Sequence, residues 1–88
     1  MIDKTLKERN KVYGDYKDNI EAVANIMDSL KCLHECAHNN EPMPPQDEAN
    51  LYYIVIKLAR LGVTPNHIDS WHDLQGYAKL AEDYYADN

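Results

Sequence analysis

The sequence contains no phenylalanine, a single tryptophan and only three glycines. Long apolar runs are missing as well. Nothing approaches the roughly 20 residues that a membrane-spanning helix needs, so no membrane partner is expected. Nine lysines and arginines stand against fifteen acidic residues, giving a net charge of −6. Affinity for a nucleic-acid backbone needs a clustered basic surface, and this balance argues against it. The start, Met1-Ile2-Asp3-Lys4, has no signal-peptide apolar core. With only two cysteines, the expected setting is a reducing cytoplasm and free thiols. No Cys-x-x-Cys, His-Glu-x-x-His, Walker loop or serine-nucleophile motif occurs.

What is present reads as one all-α domain over residues 1–88. A hydrophobic content of 44% and a charged content of 27% are ordinary for a globular chain. Apolar spacing predicts about four helices in a compact antiparallel bundle. The first runs from Asp3, as N-cap, to Tyr13, where Gly14-Asp15 interrupts it. A second covers residues 16–38, with Ile20, Val23, Met27, Leu30, Leu33 and Ala37 as its stripe. Pro42, Pro44 and Pro45 mark a loop, since proline is excluded from helix interiors. The third helix runs from Asp47 to Leu61-Gly62 around Leu51, Val55 and Leu58. Its apolar stripe is wide, so it is expected at the centre of the fold. Thr64 and Pro65 suit the N-cap and first position of a fourth helix over residues 65–85. Its inward line is His67, Trp71, Leu74, Ala78, Ala81 and Tyr85.

The fourth helix also carries an organised outer face. Asp69, Asp73, Gly76 and Leu80 fall at i, i+4, i+7 and i+11, on one side. A glycine inside a helix costs about 1 kcal/mol relative to alanine, which suggests that a backbone or a ligand comes close to Gly76. Asp69 and Asp73 suit a divalent cation or ribose hydroxyls, or an ordinary pairing with Lys57 and Arg60 across a helix seam. Lys57 and Arg60, at i and i+3 beside Tyr53, suit a phosphate with a stacked base, because guanidinium forks match phosphate oxygens. A cationic helix end facing solvent explains them equally.

Cys32, His34, Cys36 and His38 have the composition of a metal site. On a helix, however, the cysteines share one face and the histidines lie roughly opposite, so four ligands do not converge. Seven tyrosines complete the inventory. In Tyr52-Tyr53 and Tyr84-Tyr85 one ring is expected inward and one outward, the outward rings suiting an interface.

Glu8-Arg9, Tyr13-Gly14-Asp15, Lys57-x-x-Arg60 and Asp69-Ser70-Trp71-x-Asp73-x-x-Gly76-Tyr77 together give the chain a familiar pattern. It resembles small all-α domains of tailed phages and prophages, including those grouped as nucleotide-modification-associated domains. More distantly it is similar to the all-α nucleoside-triphosphate pyrophosphatases of the MazG kind. Those hold magnesium with a Glu-Glu-x-x-Glu helix followed by a Glu-x-x-Asp helix. This chain has no Glu-Glu-x-x-Glu, and Asp69 and Asp73 are spaced by four rather than three. Hydrolysis by that route needs several carboxylates to hold the metal.

The expectation is therefore a phage-type nucleotide-binding protein of the host-cell cytoplasm, with no catalytic residues assigned. Tyr13, Asp15, Tyr53, Lys57, Arg60, Asp69, Asp73, Gly76 and Tyr77 form its expected ligand site. Magnesium is a conceivable cofactor, held by Asp69 and Asp73. The alternative is an acidic protein-interaction module, such as an anti-defence inhibitor whose partner is a host protein. A third reading is a metal-dependent pyrophosphatase using Glu48, Asp69 and Asp73. A chain this short also often gains core by forming a homo-oligomer.

Overall fold

A computed structural model of the chain describes residues 2–87, and side chains from residue 5 onward. The described residues are all-α, with helices α1 (Ile2–Tyr13), α2 (Tyr16–Ala37), α3 (Pro45–Val63) and α4 (Ile68–Asp87). Only Gly14 and Asp15 separate α1 from α2. The two therefore form one helical rod bent at Gly14, and the fold consists of three rods rather than four.

The bend has a specific cause. Gly14 has φ +81°, in the left-handed region that glycine enters without a Cβ penalty. A Cβ there would meet Val63 Cγ2 at 2.8 Å and Asn19 Nδ2 at 3.1 Å. Asn19 closes the bend by donating to the Tyr13 carbonyl at 2.5 Å and the Asp15 carbonyl at 3.0 Å. α1 begins at Ile2, so Asp3 lies within the helix instead of capping it.

At its far end α2 stops where Asn39 and Asn40 adopt φ 55° and 67°, a backbone that asparagine tolerates better than most residues. The Asn40 amide donates to the Glu35 carbonyl at 2.8 Å. The proline loop follows, with Met43 buried beneath it. α3 begins two residues earlier than its polar residues suggested, with Pro45 at its first turn.

α3 is central, as its wide apolar perimeter predicts: it packs against α1, α2 and α4. Val55, 1% exposed, joins Val23 and Met27 of α2 in the core, with Ile26, Leu30, Leu51, Ile56 and Ala59 around them. Leu58 and Leu33, expected in the stripes, are instead exposed. α4 packs on α3 and does not touch α2 among the described residues. The expected bundle holds as helices packed together, with the count corrected to three rods, one of them bent, within 49 × 26 × 22 Å.

The start of α4 differs too. Thr64 does not cap it; its Oγ1 donates to the Val12 carbonyl at 2.5 Å, and its own amide closes α3 on Arg60. α4 therefore starts at Ile68, after a turn held by the His67 amide on the Thr64 carbonyl. The inward line of α4 is Ser70, Leu74, Tyr77 and Ala81, one step round from the expected Trp71-centred line. Ser70 is 1% exposed and shares a 2.8 Å hydrogen bond with His67 Nδ1. Trp71 lies outside, its indole N–H donating to the Pro65 carbonyl at 2.7 Å. No described helix is long and apolar enough to cross a membrane.

Candidate functional site

The bend at Gly14 opens a cleft of about 420 Å³ between α1, the start of α2 and α3. One wall is apolar, formed by Leu6, Ile20, Val23 and Ile56; Tyr16 and Tyr52 stand at its rim. The other wall is cationic. Arg9 and Arg60 both lie over the Tyr13 ring, their guanidinium carbons 5.0 and 4.6 Å from its centroid. His67 meets the same ring edge-on at 5.4 Å. Tyr13 thus holds in place side chains from α1, from α3 and from the turn before α4, through contacts worth about 0.5–1 kcal/mol each at exposed sites.

Neither guanidinium has a carboxylate within ion-pair distance among the described residues. Lys17, Lys31, Lys57 and Lys79 are each paired with an aspartate or glutamate, whereas Lys7 and Lys11 of α1, like the two arginines, make no ion pair among the described residues. In a chain of net charge −6, a pocket with two uncommitted arginines is a local reversal of sign. Guanidinium groups present planar, fixed donor arrays suited to phosphate or carboxylate oxygens.

The expected ligand set divides between this cleft and the α3–α4 seam. Tyr13 and Arg60 line the cleft. Asp15 does not; its exposed side chain makes no cap hydrogen bond, and only its carbonyl is used, by Asn19. Lys57 leans to the α4 side instead. It is buried at 8% exposure and donates to Asp73 Oδ2 at 3.0 Å, with its ammonium 5.9 Å from the Tyr77 ring centroid. Lys57 and Arg60 are therefore not a joint phosphate clamp, and Lys57 is not on a solvent-facing side of α3. At i and i+3 the two lie only about 60° apart around α3, and Arg60 adds to the lowering of Asp73, but their head groups take different partners, Asp73 and the Tyr13 ring.

The seam is an ordinary piece of structure with an aromatic cover. Tyr53 stacks on Tyr77, centroids 5.0 Å apart and planes 14° from parallel. The hydrogen bond and charge of Lys57 hold the Asp73 carboxyl below the usual aspartate range, against a smaller opposing effect of desolvation. Asp69 is exposed and makes no ion pair among the described residues. The expected close approach at Gly76 does not occur within the chain: a Cβ there would meet nothing within 4 Å.

Metal ligation fares no better on the geometry. Among the described residues no three His, Cys, Asp or Glu side chains gather as a metal site. Glu48 pairs with Lys31 of α2 at 3.4 Å, across α3 from Asp73 and its α4 face, so Glu48, Asp69 and Asp73 do not share an ion. Cys32 and Cys36 are exposed free thiols, and His34 stacks on His38 at 4.2 Å. The Cys32 thiol is pushed up chiefly by the charge of Cys36 and by a hydrogen bond with it. Tyr52, Tyr53, Tyr84 and Tyr85 are all 41–52% exposed, so neither pair turns a ring into the core.

Arg9 is the site residue that pattern reading left out. The signal was available: Arg9 and Tyr13 stand at i and i+4, the spacing that stacks side chains on one helix face.

No curated protein and no solved structure matches the chain. A family model described as a domain of unknown function, DUF6378, matches residues 3–85. That match runs through α1, the cleft, the central helix and nearly all of α4, and the chain belongs to the DUF6378 family.

Proposed function

We propose that this chain is a phage-type protein that binds a phosphorylated nucleotide, sensing or sequestering it rather than turning it over efficiently. The observation that carries this reading is the cationic wall of the cleft. Arg9 and Arg60 converge on Tyr13 and are free of carboxylate partners among the described residues. Phosphate oxygens fit the guanidinium donors. The apolar wall and the rings of Tyr16 and Tyr52 offer a base the stacking surface that aromatic side chains give. The sequence resemblance to phage nucleotide-modification-associated domains supports the same class of ligand. Lys57, Asp73 and Tyr77 set the distance between α3 and α4 and so act at one remove.

The test is a thermal-shift panel of mono-, di-, tri- and cyclic nucleotides, each with and without magnesium. A ligand at 100 times its dissociation constant adds about 2.7 kcal/mol. In a domain of this size that raises Tm on the order of 10 °C. Arg9→Ala and Arg60→Ala abolish the shift while lowering the Tm of the free protein little, because each loses one partly exposed ring contact. A flat panel with the wild-type protein refutes the proposal and leaves the acidic interaction module as the reading to pursue.

A further inference from the structure

Three hollows among the described residues are linked through tyrosines. The cleft at the α1 end is lined in part by Tyr52, which also lines a second hollow with Tyr53 over the start of α3. Tyr53 stacks on Tyr77, and Tyr77 opens the third hollow, over Gly76 and Leu80 of α4. A row of tyrosines therefore joins α3 and α4 beside the cleft, and aromatic side chains are the type enriched in protein interfaces.

The area left uncovered is too large for a self-sufficient protomer. A folded monomer of 10.2 kDa exposes about 5,300 Å², whereas this chain exposes 6719 Å², an excess of about 1,400 Å². Its radius of gyration, 15.1 Å, compares with about 12 Å for a compact domain of the same length. A stable interface takes about 800 Å² from each partner. Gly76 adds a local sign: it sits within α4 with open space where its Cβ would be, and packs against nothing in its own chain.

The geometry points to a second copy of this chain as the occupant of the Tyr53–Tyr77–Gly76–Leu80 face, in an isologous dimer closed by a two-fold axis over the tyrosines. The dimer stands on surface area and packing, and does not depend on the identity of any ligand.

Sedimentation equilibrium from micromolar to millimolar protein tests it. The expected mass is twice 10.2 kDa. Gly76→Arg and Leu80→Lys, each on the proposed face, give monomers with unchanged helical circular dichroism. Leu33→Lys, on an exposed part of α2 lining none of the hollows, leaves the dimer intact. A wild-type monomer at every concentration overturns the proposal, as does a dimer indifferent to both Gly76→Arg and Leu80→Lys.

Discussion

Replacing Gly14 by alanine tests whether the cleft depends on the bend between α1 and α2. Two costs are separable there. Holding an L-residue in the left-handed region costs roughly 1–2 kcal/mol, and Gly14 has φ +81°. The new methyl also meets Val63 Cγ2 at 2.8 Å, and overpacking of this kind typically costs about 1–3 kcal/mol. The Asn19 amide, 3.1 Å from the same methyl, gives way more easily but loses its bond to the Tyr13 carbonyl. The sum, about 2–5 kcal/mol, lowers Tm by roughly 8–40 °C at 4–8 °C per kcal/mol for a domain of this size. Urea and thermal melts followed by circular dichroism read it directly. Adding Val63→Ala recovers the steric part and leaves the conformational part, since Val63 is itself 46% exposed. Gly62→Ala is the internal control. Its Cβ would meet nothing within 4 Å, so it stabilises by up to about 1 kcal/mol through helix propensity. A Gly14→Ala protein within about 0.5 kcal/mol of wild type, the ordinary range for bland surface changes, refutes the account of the bend.

Further outcomes follow from the same contacts. Val55→Ala, at the most buried apolar position, costs about 2 kcal/mol as a cavity mutation, measured by urea denaturation. Thr64→Val removes the hydroxyl bond to the Val12 carbonyl and costs about 1 kcal/mol, with α1 losing protection first in hydrogen exchange. Asp73, held below its ordinary value by Lys57, contributes stability that is complete above the unfolded aspartate pKa of about 3.9. That contribution disappears as pH falls through the lower folded value, so Asp73→Asn lowers Tm at neutral pH and the two proteins converge in strong acid. Cys36→Ala removes the neighbour that raises Cys32, and Cys32 then reacts faster with a thiol reagent at neutral pH.

Helix type and order were legible because they rest on local signals. The stripe from Val23 to Leu30, the proline loop and the broad apolar perimeter of α3 each announce an element and its buried side. The register of α4 was not. Trp71 attracts assignment to the core by its size, yet it lies outside with its indole bonded to Pro65, while small Ser70 lets α4 come close to α3. Thr64-Pro65 reads as a helix start, but the hydroxyl is used by Val12, a residue 52 positions away. The site divides for the same reason. Lys57 and Arg60 look like one cationic pair in sequence, and only the placement of α1 and α4 around α3 sends them to different partners. Arg9 gains its place only when the bend at Gly14 folds α1 back toward Arg60.

Among the described residues α4 packs on α3 and on no other helix, and this has a dynamic consequence. A helix with a single neighbour can detach as a unit without disturbing the α2–α3 pair, so its amides exchange through a sub-global opening rather than through complete unfolding. Within one protomer, slow exchange is then concentrated around Val23, Met27 and Val55, and α4 forms the first cooperative unit to open. His67 links that opening to the cleft, because the turn leading into α4 also holds the edge of Tyr13.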